Sequence, residues 1–251
     1  MAALRRMYRI AGLVAWSVLM ALASLPWQLA RGWGSNRKIS AFTMAWNKGA
    51  AKIVNLNVSL SGPVPSGRGG LVISNHLGYI DIITHGSIVP SRYSAKADIA
   101  KWPLLGWYLG LSRPIWTDRE SRQASRKALR DFAKTMRHGM YLIVYPEGTS
   151  TDGKKGILEF KSTPFEAAIV GNVPIYPVLT RYREVPGRGT VCWYGDMTLV
   201  PHLWEVLGFD RIDAELRFLE PIYPEGRPRK DLAAYVHDIM AGEYSAWAKN
   251  N

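Results

Sequence analysis

Leu71-Val72-Ile73-Ser74-Asn75-His76-Leu77-Gly78-Tyr79-Ile80-Asp81 changes character twice within eleven residues. The apolar run at its start reads as a short buried strand. Gly78 loosens the backbone after it, and the residues from Asp81 onward read as a helix. Asp81 is the first acidic residue of the chain, and it follows His76 by five positions. In a continuous helix, residues five apart do not share a face. The spacing therefore places His76 at a strand-to-helix turn and Asp81 in the first helical turns. A carboxylate beside an imidazole holds one tautomer and stabilises the imidazolium once a proton has been taken. That pair suits deprotonation of a hydroxyl. Alone, His-x4-Asp is a weak signal, since a histidine and an aspartate also meet in loops by chance. His85, His138, His202 and His237 have no acid at the same spacing.

Working outward, Tyr141-Leu142-Ile143-Val144-Tyr145 is a second buried-strand run, followed by Pro146-Glu147-Gly148-Thr149-Ser150. A carboxylate between Pro and Gly at the end of a central strand sits where open α/β sheets bind ligands. Residues 171–178 (Gly-Asn-Val-Pro-Ile-Tyr-Pro-Val) give a strand bracketed by prolines, and Trp116-Thr117-Asp118-Arg119 precedes a basic helix. Further strands are expected near residues 56–60, 92–95, 114–117, 190–194 and 213–218, and helices near 81–88, 104–109, 122–137, 165–170 and 230–249. Strands alternating with helices predict an α/β fold with a mixed, largely parallel sheet flanked by helices. The strand-rich later part predicts an antiparallel addition.

In this order, four blocks of the chain resemble the glycerolipid acyltransferase family of the HxxxxD type, whose best-known members are the lysophosphatidic acid acyltransferases. The blocks are Asn75-His76 with Asp81; Arg119, after the apolar run containing Trp102-Pro103-Leu104-Leu105-Gly106-Trp107; Tyr145-Pro146-Glu147-Gly148-Thr149, with Phe160-Lys161 downstream; and Val173-Pro174-Ile175-Tyr176-Pro177-Val178. The resemblance implies direct acyl transfer from acyl-CoA or acyl carrier protein to the hydroxyl of a lysolipid. It implies no other cofactor and no metal. His76 would be the general base, oriented by Asp81, while Arg119, Glu147, Gly148, Thr149 and Lys161 would bind substrate. A guanidinium at Arg119 suits an anionic headgroup; its plain alternative is a surface ion pair with Asp118 or Glu120. Glu147 would repel such a headgroup. It fits an acceptor hydroxyl or amide, a brace for Arg119, or a buried partner for a backbone turn.

Lysophosphatidic acid, giving phosphatidic acid, is the acceptor that the family implies first. Two departures bear on it: Ser150 stands where many phosphate-acceptor members carry Arg, and Thr163 where they usually carry Gly. The runs Glu147-Gly148-Thr149-Ser150, with Asp152-Gly153, and Trp193-Tyr194-Gly195-Asp196-Met197 resemble the lyso-ornithine lipid acyltransferase branch, whose acceptor is phosphate-free.

The 251 residues suit one large domain, and the net charge of +12 suits nucleic acid or an anionic membrane surface as partner. Residues 10–27 carry no charge and follow Arg5, Arg6 and Arg9, which favours the membrane over nucleic acid. They read as a cleaved signal, a transmembrane anchor, or a helix dipping into one leaflet that Pro26 would end. In residues 39–54, Phe42, Trp46, Ala50 and Ile53 recur at helical spacing, with Lys48 and Lys52 elsewhere, as in an interfacial amphipathic helix. The expected division is residues 1–55 as membrane-associating helices and 56–251 as the acyltransferase domain. Because the acyl donors are cytosolic, the active site is expected on the cytoplasmic side of a bacterial inner membrane. The single cysteine, Cys192, reads as a buried inert thiol on a strand. Gly148 to Lys154 has phosphate-loop spacing, but Lys155 replaces the magnesium-binding Ser or Thr. A catalytically silent, membrane-bound lipid-binding protein would explain the anchor and charge, though not His76 and Asp81 beside an intact Glu147-Gly148.

Overall fold

The computed structural model describes residues 1–67, 69–118 and 122–249. Among them, seven strands form one sheet: β1 (Leu56–Ser61), β2 (Gly70–Ser74), β3 (Ser91–Lys96), β4 (Ile115–Thr117), β5 (Tyr141–Val144), β6 (Ile175–Tyr182) and β7 (Ile212–Phe218). Their order is β1-β7-β6-β2-β5-β3-β4. From β6 to β4 every neighbouring pair is parallel, whereas β7 runs antiparallel to β6 and carries β1 parallel to itself. The fold is thus α/β with a mixed, mostly parallel sheet and a late antiparallel addition.

Leu71, Val72 and Ile73 are all buried because both faces of the sheet are covered, which is why the strand reads as an unbroken apolar run. Leu71, Ile73, Leu142 and Val144 pack with Phe132 and Met136 of α5 (Arg122–Arg137), Phe165 of α6 (Thr163–Gly171) and Val236 of α8 (Arg229–Lys249). Each such side chain contributes roughly 1.5–3 kcal/mol by leaving water. Two expectations change here. Residues 190–194 form no strand, and residues before β7 form a helix, α7 (Leu199–Val206), that propensity does not announce. The short helices α3 (Ile80–Gly86) and α4 (Leu105–Gly110) fall where expected.

The chain begins with an antiparallel hairpin of α1 (Ala2–Leu29) and α2 (Trp33–Val54). The stripe predicted on α2 faces α1: Phe42 meets the Trp27 ring at 5.2 Å, and Trp46 donates to the Ser17 hydroxyl at 3.1 Å. The Trp16 ring lies over Gly49, where any Cβ would collide with it. Lys48 and Lys52 face solvent. Pro26 does not end α1, which continues to Leu29. Within four residues of the helix end, the donor that proline lacks removes a single intrahelical bond.

Both ends of α1 are tied to the body that carries the sheet. At one end Arg5 donates to the Gly208 carbonyl at 2.8 Å, Arg6 to that of Trp204 at 2.8 Å, and Arg9 to those of Leu207 (3.1 Å), Phe209 and Asp210 (3.2 Å). These carbonyls lie at the C-terminal end of α7, where the helix dipole favours cations. At the other end Gln28 donates to Leu111 O at 2.6 Å, and Arg113 donates to the carbonyls of Trp27 (2.9 Å), Gln28 (3.1 Å) and Ala30 (3.0 Å). Along its length α1 turns Leu4, Val14, Val18, Leu22, Leu25 and Leu29 outward.

Arg9 is only 1% exposed, so its loss leaves several carbonyls without their charged donor. Arg9→Leu is expected to lower unfolding stability by roughly 2–4 kcal/mol, measured by denaturant titration. A change within experimental error would mean these bonds do not form. With these contacts, residues 1–23 are expected to stay in the mature protein, and N-terminal sequencing that finds a start at Ser24 would contradict that.

Candidate functional site

Three parallel neighbours, β6, β2 and β5, end at the same edge of the sheet and deliver the sequence blocks to one place. His76 follows β2, Pro146 to Ser150 follow β5, and Tyr182 closes β6. Asn75 extends the pairing past the end of β2: its side chain donates to Thr180 O at 3.0 Å and accepts from Thr180 N–H at 2.8 Å. This locks the turn against β6.

Asp81 stands in the first turn of α3 and is fully buried. One of its oxygens, Oδ2, accepts from His76 Nδ1 at 2.7 Å, from Leu77 N–H at 2.7 Å and from Gly78 N–H at 3.1 Å. The other accepts from the Tyr182 hydroxyl at 2.7 Å. Burial alone would raise the carboxyl pKa. The hydrogen bond and charge of His76 outweigh it, with help from His85 and Tyr182, and hold the group below its ordinary value. An ionised carboxylate only accepts, so Nδ1 of His76 is the donor, and in the neutral ring that leaves the lone pair on Nε2. Gly78 takes φ 153°, and a Cβ there would collide with the Trp193 backbone at 2.9 Å. The turn that aims two N–H groups at Asp81 therefore requires glycine.

The histidine ring is held from behind as well. Tyr145 stacks on it with centroids 4.2 Å apart and planes 16° from parallel. The Tyr145 hydroxyl lies 3.0 Å from Nδ1 of His85, which also bonds the Asp81 carbonyl at 2.8 Å, while Nε2 of His85 meets the Thr180 hydroxyl at 2.8 Å. Glu147 Oε1 accepts from the backbone N–H of His76 at 2.8 Å and Oε2 from Leu158 N–H at 3.0 Å. Burial raises the Glu147 pKa against those two bonds.

In front of His76 opens a cavity of about 650 Å³. Its catalytic end is lined by His76, Tyr145, Gly148, Thr149, Ser150 and Trp193. From there it runs between the sheet and the helical hairpin, past Tyr93, Trp46, Phe42 and Met20. Most of this wall is apolar.

The predicted site residues separate on this geometry. His76 and Asp81 are in contact, and Gly148 and Thr149 line the cavity beside them. Glu147 does not line it: both its oxygens serve backbone groups, which makes it the turn partner rather than an acceptor contact. Lys161 is exposed outside the lining, its backbone N–H bonded to Pro146 O at 2.9 Å. Arg119 lies outside the described residues. Ser150 lines the cavity but spends its hydroxyl proton on the Trp193 carbonyl. Cys192 is buried, with its thiol pushed up to about 12 by burial. Sequence reasoning missed Tyr182 and His85, and it named Tyr145 only as the head of a matching block, without a role. His85 did leave a signal, since it sits four residues after Asp81 on the same face of α3.

The sequence profile of the Acyltransferase family matches residues 55–181, which include every element of this site except the hairpin wall, Tyr182 and Trp193. The chain belongs to that family and is an O-acyltransferase. It is similar to the lyso-ornithine lipid O-acyltransferase of Brucella abortus, at 29% identity over 86% of this chain and 85% of that protein. It is also similar to the enzyme of that name from Rhodobacter capsulatus, at 34% identity over 72% of this chain and 68% of the relative. The 1-acyl-sn-glycerol-3-phosphate acyltransferase of Neisseria gonorrhoeae is 28% identical over 70% of this chain and 69% of its own length. The fold matches the crystal structure of the 1-acyl-sn-glycerophosphate acyltransferase PlsC from Thermotoga maritima with a TM-score of 0.70, at 22% identity, over 98% of this chain and 95% of that one.

The buried His85 gives a pH test of the inner network. Burial lowers its pKa from an ordinary 6.5 to about 4, so the unfolded chain binds a proton before the folded protein does. Its stabilising contribution is complete above about pH 6.5 and is lost as pH falls toward 4, by roughly 3 kcal/mol in all. Asp81, whose pKa is depressed, adds a further loss below the ordinary carboxylate range. Unfolding free energies measured from pH 7 to pH 4 are expected to show this slope, and His85→Gln is expected to flatten it.

Proposed function

We propose that this enzyme transfers a fatty acyl group from a thioester, acyl-CoA or acyl carrier protein, directly to the hydroxyl of a lysolipid, with His76 as general base. The observation that carries this reading is the 2.7 Å contact of His76 Nδ1 with a buried, ionised Asp81 at the head of an apolar cavity. Nε2 takes the acceptor's hydroxyl proton, and the oxygen attacks the thioester carbonyl. The tetrahedral oxyanion then collapses with cleavage of the C–S bond, and the leaving thiolate takes the proton back from the imidazolium. Asp81 stabilises that imidazolium, and Glu147 and Tyr145 fix the ring that carries it. No covalent enzyme intermediate is needed, and the buried Cys192 is unsuited to forming one. Gly148 and Thr149 flank the acceptor, with Arg119 and Lys161 as the cations offered to its headgroup.

In this reading residues 1–55 form the membrane-associating part and residues 56–251 the catalytic domain. A helix of 28 residues is roughly 42 Å long, enough to cross a bilayer. Contacts at both its ends with one protein body favour a helix lying in a single leaflet, its outward apolar face in lipid and its inner face on α2. With a cytosolic donor, that leaflet is the cytoplasmic one.

Of the two acceptors, lyso-ornithine lipid is the better supported. The Brucella relative aligns over most of both chains, and Ser150 provides no cation and has its proton engaged. Lysophosphatidic acid is the second reading, supported by the Neisseria relative. Side-by-side assays with the two lysolipids and one acyl donor decide between them. Preference for the ornithine acceptor is expected, and preference for lysophosphatidic acid would reverse the assignment while leaving the chemistry intact.

His76→Ala is expected to lower turnover by roughly 10²–10⁴-fold with the fold retained, and Asp81→Asn to approach the same loss, because a neutral amide cannot stabilise the imidazolium. Steady-state kinetics with circular dichroism as fold control test this. Turnover near wild type in folded His76→Ala would remove the mechanism.

A further inference from the structure

The turn before α4 and the first turn of that helix expose an apolar group that the reaction does not use. Leu104 is 84% exposed and Trp107 69%, with Trp102 and Leu105 also turned to solvent. The backbone that presents them is strained. Leu104 has φ 60° and ψ −52°, and Leu105 N–H closes onto Pro103 O at 2.6 Å, a γ-turn of the rare kind that few non-glycine residues adopt. A protein facing only water gains nothing by holding a leucine and a tryptophan outward on such a turn.

Three observations identify what covers this patch. The segment that directly follows it is tied to the C-terminal end of α1, where Gln28 bonds Leu111 O and Arg113 binds the carbonyls of Trp27, Gln28 and Ala30, and to α2, where the Trp46 ring lies 6.1 Å from that of Tyr108. Its composition is interfacial, with tryptophans beside leucines and the exposed Lys96 and Lys101 nearby. It also shares the cavity with α1, because Trp102, Tyr108 and Leu111 form one part of the wall and Met20, Ala21 and Ser24 another.

We propose that residues 102–107 are a second lipid-inserting element, entering the same leaflet as α1 and seating the mouth of the cavity in hydrocarbon. The lysolipid acceptor then passes from lipid into the cavity sideways, without crossing water. This rests on the reading that α1 lies in one leaflet, and it adds a contact that α1 alone does not provide.

The test uses the full chain with Cys192→Ala and single environment-sensitive labels at Leu104→Cys, at Val18→Cys on α1, and at Glu225→Cys as an aqueous control. Vesicles containing phosphatidylglycerol and nitroxide-labelled acyl chains are added. The expected result is a blue shift and quenching at positions 104 and 18 and neither at 225. A response at 18 without one at 104 overturns this inference and leaves the α1 reading standing. No response at either overturns both. A shift at 104 that appears without vesicles as protein concentration rises means that a second copy covers the patch, which also overturns it. Because Leu104 and Trp107 lie outside the cavity lining, Leu104→Ser/Trp107→Ser is expected to lose about ten-fold or more of its activity on acceptor in vesicles and little on acceptor in detergent. Equal losses in both would count against the proposal.

Discussion

A negative charge at Asp81, with no exposure to water, sits at the edge where the central strands end. Such a charge persists in a protein interior only when donors surround it. Here four donors do so: three from consecutive residues of the turn after β2, the imidazole of His76 and the N–H groups of Leu77 and Gly78, and a fourth from far along the chain, the Tyr182 hydroxyl at the end of β6. Each donor is also a geometric constraint. Bringing the N–H groups of Leu77 and Gly78 to one oxygen bends the turn, the bend demands glycine at 78, and the space that glycine leaves is filled by the Trp193 backbone. The histidine ring then has little freedom, because its Nδ1 is fixed on Asp81 and its face on Tyr145. A change that unpairs this carboxylate would disturb the turn, the ring and the joint between β2 and β6 together.

The constraint can be met only because of the strand order. β5 enters the sheet between β2 and β3, so Glu147 reaches the backbone of a residue 71 positions earlier. Parallel strands put their C-terminal ends on one edge, and with β6 on the other side of β2 the turns after three strands face a common space. The N-terminal hairpin closes that space. Its inner face supplies part of the cavity wall, and its outer face is apolar and exposed.

What could be read from the sequence was what depends on neighbours in the sequence. The His76–Asp81 pair was legible because a strand, a glycine-loosened turn and a helix start bring positions five apart together locally. β2 and β5 were legible as short apolar runs. Tyr182 was not, because it meets Asp81 across 101 positions and no periodicity marks it. Glu147 was legible as important, but its partner was not, since a carboxylate after a central strand serves a ligand or a turn equally well. Residues 190–194 have strand composition, yet their backbone bonds Leu77 O and accepts from Ser150, so tertiary contacts overrode propensity. α7 was missed because Pro201 and an apolar composition hide its start. Residues 10–27 announced a lipid-seeking helix but not its orientation, which depends on where its two ends attach.

Those attachments meet two opposed requirements. Acyl transfer from a lipid-soluble chain is best served by an apolar cavity continuous with hydrocarbon. A buried carboxylate that holds an imidazole needs dense, fixed polar donors, which hydrocarbon lacks. The fold separates the two over a short distance. The polar network around Asp81 is built from the sheet edge and α3, behind His76. The apolar cavity lies in front, its far wall formed by α1, α2 and the α4 segment. His76 is the boundary residue, with Nδ1 in the polar network and the rest of the ring toward the cavity. A hairpin inserted end-on would carry that wall away from the sheet. One held at both ends keeps the wall in place and leaves its outer surface open for the membrane contact proposed above, so the arginine contacts of α1 serve the geometry of the cavity as well as the stability of the fold.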